Sequence, residues 1–287
     1  MKTRFKSYAK INTSLEVVNY LKKYKKHKIK SNISILKLSD KIYVTNSKKT
    51  KILYIDGNTK KKLKIRNDII SKTINFFDSK YSTKTNLSIK VVKFIPIGYG
   101  FGGGSSNAST ILKYLYSYHS ISDINFNHDA HIIGSDVSLF KDLFPKEIDG
   151  ISIIKKKIKR RYTWKKIYLL LPSKKNSTKK IFSLYKNKKT VPKKSFIYEN
   201  LNKSMIKKNI FLAKNDLIIC ASHYNREMSK ILIYLYQNNG LFSKFGMTGT
   251  GSGLFIIFKD KFYNKSFFNE FKKLFPLASI EKSEYFS

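Results

Sequence analysis

The segment PIGYGFGGGSSNAST (residues 96–110) decides how the rest of the chain is read. The chain holds only 13 glycines in 287 residues, yet Gly98, Gly100, Gly102, Gly103 and Gly104 crowd into seven positions here. Upstream, TNLSIKVVKFI (85–95) alternates, with Leu87, Ile89 and Val91 on one face and Ser88 and Lys90 on the other, which predicts a strand. Downstream, SSNASTILKYLYSY (105–118) puts Ala108, Ile111, Leu112, Leu115 and Tyr118 on one helical stripe, with Ser and Asn available as caps. A glycine loop that opens a helix bares several backbone N–H groups, and the helix N-terminus adds partial positive charge, so the pattern predicts a phosphate site. Ser105 and Ser106 can add hydroxyl donors or help hold a Mg²⁺ ion. The segment is not a Walker loop, because Asn107 follows Ser106 where that pattern ends in Gly-Lys-Ser/Thr. Nor is it a dinucleotide fingerprint, because no acidic residue ends a second strand about 20 residues further on.

A second glycine loop lies in MTGTGSGLFIIF (247–258), with Gly249, Gly251 and Gly253. SNISILKL (31–38), KIYVTN (41–46), KILYID (51–56) and KIYLLLP (166–172) read as strands. NDIISKTINFF (67–77) reads as a helix with Ile70, Ile74 and Phe77 on one face, and residues 215–239 read as one long helix. Residues 141–166 are basic and weakly periodic, so a domain boundary is placed inside them, giving units 1–155 and 156–287.

Hydrophobic content of 41% and aromatic content of 14% fit a folded protein rather than a disordered one. The single Cys220 rules out an internal disulfide and fits a reducing compartment; its apolar helical setting predicts core packing. The N-terminus has no apolar core of signal-peptide length, and runs such as IYLLL and LFIIF are too short to cross a bilayer. The expectation is a soluble cytoplasmic protein without a membrane partner. The formal net charge of +40 raises the alternative of a nucleic-acid binder. Its lysine runs (22–30, 59–66 and 155–166) are scattered, and no zinc-finger cysteines or RNP-like strand motif accompany them, so no specific nucleic-acid partner is expected.

PIGYGFGGGSSNAST resembles the ATP-binding motif of the GHMP kinases, Pro-x-x-x-Gly-Leu-Gly-(Gly)-Gly-Ser-Ser-x-Ala. YAKIN (8–12), GSDVSLF (134–140) and TGTGSGLF (248–255) resemble that family's other signatures, in the same order. The resemblance covers nearly the whole chain and implies an α+β, two-domain GHMP-kinase-like fold with an active-site cleft between the domains. It implies ATP, with Mg²⁺, as phosphoryl donor. The doubled and tripled glycines with AKIN and GSDV are most similar to the branch that phosphorylates the 2-hydroxyl of 4-diphosphocytidyl-2-C-methyl-D-erythritol. Other branches act on homoserine, mevalonate or sugars. The expected assembly is a monomer or homodimer.

Carried over residue by residue, the resemblance implies an ATP cradle of Pro96, Gly98, Gly100, Phe101, Gly102, Gly103, Gly104, Ser105 and Ser106, with Asn67 and Lys93 near the adenine. It implies Asp136 as the base that takes the acceptor hydroxyl's proton, and Lys10 beside it, favouring the ionised carboxylate and the charge that develops. On the acceptor side it implies Asn12 at the erythritol moiety, His27, Thr178 and Phe182 around the cytosine, and Gly249, Thr250 and Gly251 in the second glycine loop. The family expects a tyrosine just before this histidine, where this chain has Lys26; Tyr24 is the nearest tyrosine, and Ile33 or a neighbour stands where a phenylalanine is expected. His128 and His131 have i, i+3 spacing, but no third or fourth ligand is apparent in the sequence and no metal site is assigned to them.

Overall fold

The structure is a computed structural model that describes residues 2–21, 26–150, 153–157, 163–186, 212–259 and 265–286. Tyr24, with residues 22–25 and 158–162 of two lysine runs, lies outside the described residues. Its spine is a hairpin of two long strands, β1 (Thr3–Leu21) and β2 (Lys26–Asn46), antiparallel along their length. The sequence expectation of two strands at 31–38 and 41–46 is corrected here: they are one strand. The Ser39–Asp40 pair between them looks like a turn. Asp40 is instead fully buried, pairs with Lys93, and accepts the backbone N–H groups of Phe94 (2.8 Å) and Ile95 (2.9 Å).

Along β2 the sheet spreads both ways. Lys41–Asn46 pair with β5 (Leu87–Lys93), and β5 pairs in parallel with β3 (Lys51–Asp56), which carries the short β4 (Lys62–Leu63). Ile29–Ile33 pair with β6 (Lys146–Gly150), and β6 with β7 (Ile154–Lys157). β11 (Ser279–Phe286) touches β2 at Leu36 and runs along β8 (Trp164–Leu171), followed by β10 (Leu254–Phe258) and β9 (Phe242–Met247). One mixed sheet of eleven strands thus runs through the described residues.

Helices cover it in two groups. α1 (Ile69–Tyr81), α2 (Gly103–Tyr118) and α3 (Phe126–Ile133) share a core with Ile42, Val44, Ile89 and Val91. α1 begins where Asp68 accepts the N–H groups of Ile70 and Ser71. In the second half, α5 (Ile218–Tyr224), α6 (Arg226–Gln237) and α7 (Lys265–Leu274) cover Tyr168, Leu170, Leu254 and Ile256, while α4 (Thr178–Lys186) adds Ile181. The alternate residues Ile167, Leu169, Leu171, Phe255 and Ile257 face a junction core with Ala9, Ile11, Ile95 and Phe101. β8 and β10 are buried on both faces, which is why they read as unbroken apolar runs. The single helix expected at 215–239 is two, because Asn225 is extended (φ −130°) and its side chain caps α6 at Met228 N. Cys220 is buried in this core. Among the described residues no helix is long and apolar enough to cross a membrane.

Candidate active site

β5 delivers the chain into the first glycine loop, and α2 takes it away. Gly102 is the N-cap residue in the left-handed region (φ 74°), and no side chain caps the helix. The expected Ser or Asn cap is absent because these residues turn inward: Ser106 Oγ and Asn107 Oδ1 each lie 2.7 Å from the Ser7 hydroxyl of β1. The helix therefore offers its first-turn amides and dipole to whatever fills the space in front of it.

The glycines also serve contact between the loops. A Cβ on Gly100 would lie 2.8 Å from the Thr248 carbonyl oxygen, and one on Gly253 would lie 2.5 Å from that of Tyr99. The two glycine loops are packed backbone on backbone. At Gly103 a Cβ would meet Ile95 Cγ2 at 3.0 Å and Lys93 Nζ at 3.2 Å, whereas at Gly104 the nearest atom is Ile69 Cγ2 at 3.8 Å.

Two cavities meet at this seam. The smaller, of about 350 Å³, is walled by Asn67, Lys93, Pro96, Gly98, Phe101, Gly103 and Gly104. The larger, of about 730 Å³, is walled by Lys10, Asn12, His27, Asp136, Thr178, Phe182, Gly249 and Thr250. Gly100, Gly102 and Ser105 border both. Ser106 and Gly251 border neither: Ser106 is buried against Ser7, and Gly251 (φ 76°) packs on Asn176, Met247 and Met228. The Lys93 ammonium is committed to Asp40, so it holds the loop entrance as well as lining the smaller cavity.

Lys10 and Asn12 reach the larger cavity because β1 alternates: Ala9 and Ile11 enter the junction core while their neighbours face the opposite way. Register shifts on both sides of this pair, at Tyr8/Ala9 and Asn12/Ser14, bend the strand beside the site. Lys10 Nζ donates to Asn12 Oδ1 (2.6 Å) and lies 3.9 Å from Asp136 Oδ2. Burial lowers the Lys10 pKa, and the nearby Asp136 carboxylate opposes this in part. Asp136 sits just before a one-turn 3₁₀ helix, Val137–Phe140, with its side chain about one-third exposed (34%) toward the cavity.

At the far end of the larger cavity the rings of His27 and Phe182 stack (4.8 Å, 18°). Burial, then the Lys186 charge, lowers the His27 pKa and favours the neutral ring. Sequence reasoning missed Tyr20, which pairs across the hairpin with His27 and packs on its ring at 4.9 Å. The Thr178 and Thr250 hydroxyls are 3.1 Å apart, linking α4 to the second glycine loop. Asp40, Thr248 and Phe140 were also missed. Phe140 abuts Gly102, where a Cβ would lie 2.7 Å from its ring. Of the spaced pair His128 and His131, His128 Nδ1 lies 3.2 Å from the buried Asp129, which also binds Tyr81, Tyr116 and Lys80.

A glycine-loop cradle beside a lysine–aspartate pair points to a class, and residues 68–140 match the GHMP kinases N terminal domain. The names of individual relatives are more particular. The chain is 31% identical over 142 residues to a 4-diphosphocytidyl-2-C-methyl-D-erythritol kinase of Ureaplasma parvum, covering 48% of this chain and 52% of that protein. It is 41% identical over 142 residues to the protein of that name from Pelagibacter ubique, covering 47% and 49%. The similarity thus spans about half the length of these curated relatives. The fold matches the crystal structure of a 4-(cytidine 5'-diphospho)-2C-methyl-D-erythritol kinase with a TM-score of 0.68 at 16% identity, covering 99% of each chain.

Proposed function

We propose that this protein transfers the γ-phosphoryl group of ATP to the 2-hydroxyl of 4-diphosphocytidyl-2-C-methyl-D-erythritol. The observation that carries this reading is the Lys10–Asp136 pair in the larger cavity, which ends in an aromatic stack and shares Gly100, Gly102 and Ser105 with the helix-N-terminal cradle. ATP enters the smaller cavity with its phosphates on residues 100–105, between Asn67, Lys93 and Pro96. The acceptor enters the larger one, its cytosine against Phe182 and His27 with Thr178 near the base, and its alcohol between Asn12, Gly249 and Thr250. Asp136 takes the hydroxyl proton, Lys10 stabilises the charge that develops, and the α2 amides hold the phosphates in line. A Mg²⁺ ion suits the oxygen donors Ser105 and Asp136. Among the described residues no group of three acidic, histidine or cysteine side chains is placed to hold a metal. When bound, it supplies charge neutralisation at the phosphates.

Residues 1–155 and 156–287 serve as two domains in this reading; each has a helix-covered cluster, and the second cluster also takes in Leu15 of β1. The acceptors of other GHMP kinases (homoserine, mevalonate, sugars) carry no base for Phe182 and His27 to stack on. ADP production measured with each of these alcohols tests the assignment. The proposal expects turnover with the cytidine compound above all others, and turnover confined to homoserine, mevalonate or a sugar overturns it.

A further inference from the structure

A third cavity, of about 580 Å³, opens away from the other two, between the start of β1, the outer side of α2 and residues 140–143. Its walls are apolar rings and chains: Phe5, Tyr8, Tyr114, Phe140 and Leu143. Phe5 and Tyr114 meet edge to face at 5.5 Å, which fixes one wall. The rim is cationic. Lys6 and Lys113 both border the cavity, and among the described residues neither ammonium has a carboxylate within salt-bridge distance. Asp142 also lines it; it lies 2.7 Å from the fully buried Lys146, and its charge also favours the Lys113 ammonium. Thr3 and Ser117 present hydroxyls; the Thr110 hydroxyl donates to the Ser106 carbonyl (3.0 Å).

We propose that this cavity is a second binding site, for a small organic phosphate with an apolar body. The rings remove the apolar body from water, while two ammonium groups that lie beyond salt-bridge distance of any described carboxylate, and two hydroxyls, meet the phosphate. The volume lies within the roughly 300–1,000 Å³ usual for ligand pockets. The site also adjoins the catalytic wall. Phe140 lines the cavity on one side, and on the other its ring sits where a Cβ on Gly102 would fall, 2.7 Å away, with Lys10 Cγ at 3.1 Å from the same point. A ligand against Phe140 therefore lies across one ring from Gly102 and the Lys10 side chain. Binding itself does not rest on the kinase reading.

The test is a calorimetric titration of hexyl phosphate into the full chain, with a non-hydrolysable ATP analogue present to fill the nucleotide cradle and again without it. Hexyl phosphate should bind one to one in both titrations, and inorganic phosphate and hexanol should each bind far more weakly. The double variant Lys6→Glu/Lys113→Glu, with an unchanged melting temperature, should bind hexyl phosphate at least about tenfold more weakly, since each lost charge-assisted contact is worth that much. Lys113→Ala alone should show a smaller loss in the same direction. No measurable binding, equal affinity for inorganic phosphate, displacement by the ATP analogue, or affinity that survives both variants overturns the proposal.

Discussion

Asn12 and Thr248 are 236 residues apart, and the backbone N–H of Asn12 donates to the Thr248 hydroxyl at 3.0 Å. That hydroxyl in turn lies 3.3 Å from Asn12 Oδ1, the atom that also accepts from Lys10. One threonine in the second glycine loop thus fixes the strand that carries the lysine.

Thr248→Val should therefore damage both stability and chemistry. It leaves the Asn12 N–H unpaired inside the protein, where Thr248 is fully buried, at a cost of about 1–3 kcal/mol. Urea unfolding should show that loss, and kcat should fall as Asn12 and Lys10 lose their alignment. A variant with wild-type stability and kcat would remove Thr248 from the support of the site.

Gly103 and Gly104 should separate packing from ligand binding. Gly103→Val strikes Ile95 and Lys93 and should lower the melting temperature. Gly104→Leu starts from a position where a Cβ meets only Ile69, at an ordinary 3.8 Å, and extends into the cradle that Gly104 lines. It should keep the melting temperature while weakening an ATP analogue by at least about tenfold, the scale of lost phosphate contacts. Unchanged nucleotide affinity in a folded Gly104→Leu protein would move the phosphates elsewhere.

Lys10 gives a pH dependence with a defined sign. Its pKa is lowered in the folded protein, so between that depressed value and the ordinary 10.5 the unfolded chain binds more protons and stability rises with pH. The charged Lys10 costs stability below that interval. Lys10→Met should be more stable than wild type at neutral pH, and its margin should shrink as pH climbs through the interval. Urea unfolding of both proteins across this range checks the sign; a margin that widens with pH contradicts it.

Tyr20 and Phe182 should govern the acceptor alone. Phe182→Ala or Tyr20→Ala should raise KM for the cytidine-bearing alcohol by about tenfold or more, as expected for a lost base-stacking surface, and leave KM for ATP unchanged. Equal effects on both substrates would point to general damage in place of a base site.

The first glycine loop, its strand and its helix were legible because a glycine-poor chain concentrates glycine only where backbone contact demands it. The reason was half seen: Gly100 and Gly253 make room for another loop, a partner that no local pattern reveals. Lys10 stood out by its motif alone, since one lysine among 58 Lys and Arg carries no compositional signal. Tyr20 was hidden by the search for a neighbour of His27 along the chain. Its relation to that ring is across the hairpin, and depends on a register with three shifts. The single long β2 was misread at Ser39–Asp40, because the bonds that make Asp40 welcome inside come from residues 93–95.

In the proposed reaction Lys10 and Asp136, 3.9 Å apart, act as one unit on a hydroxyl and its phosphoryl donor. The measurement is kcat at saturating ATP for wild type, Asp136→Asn, Lys10→Ala and the double variant, with ATP-analogue affinity as control. Asp136→Asn should bind the analogue nearly as wild type and lose roughly 10²–10⁴ in kcat, the usual size of a lost general base. Lys10→Ala should lose a comparable factor, and the double variant should fall well short of the product of the two. Single losses that simply multiply, or an Asp136→Asn enzyme turning over near the wild-type rate, would contradict the account.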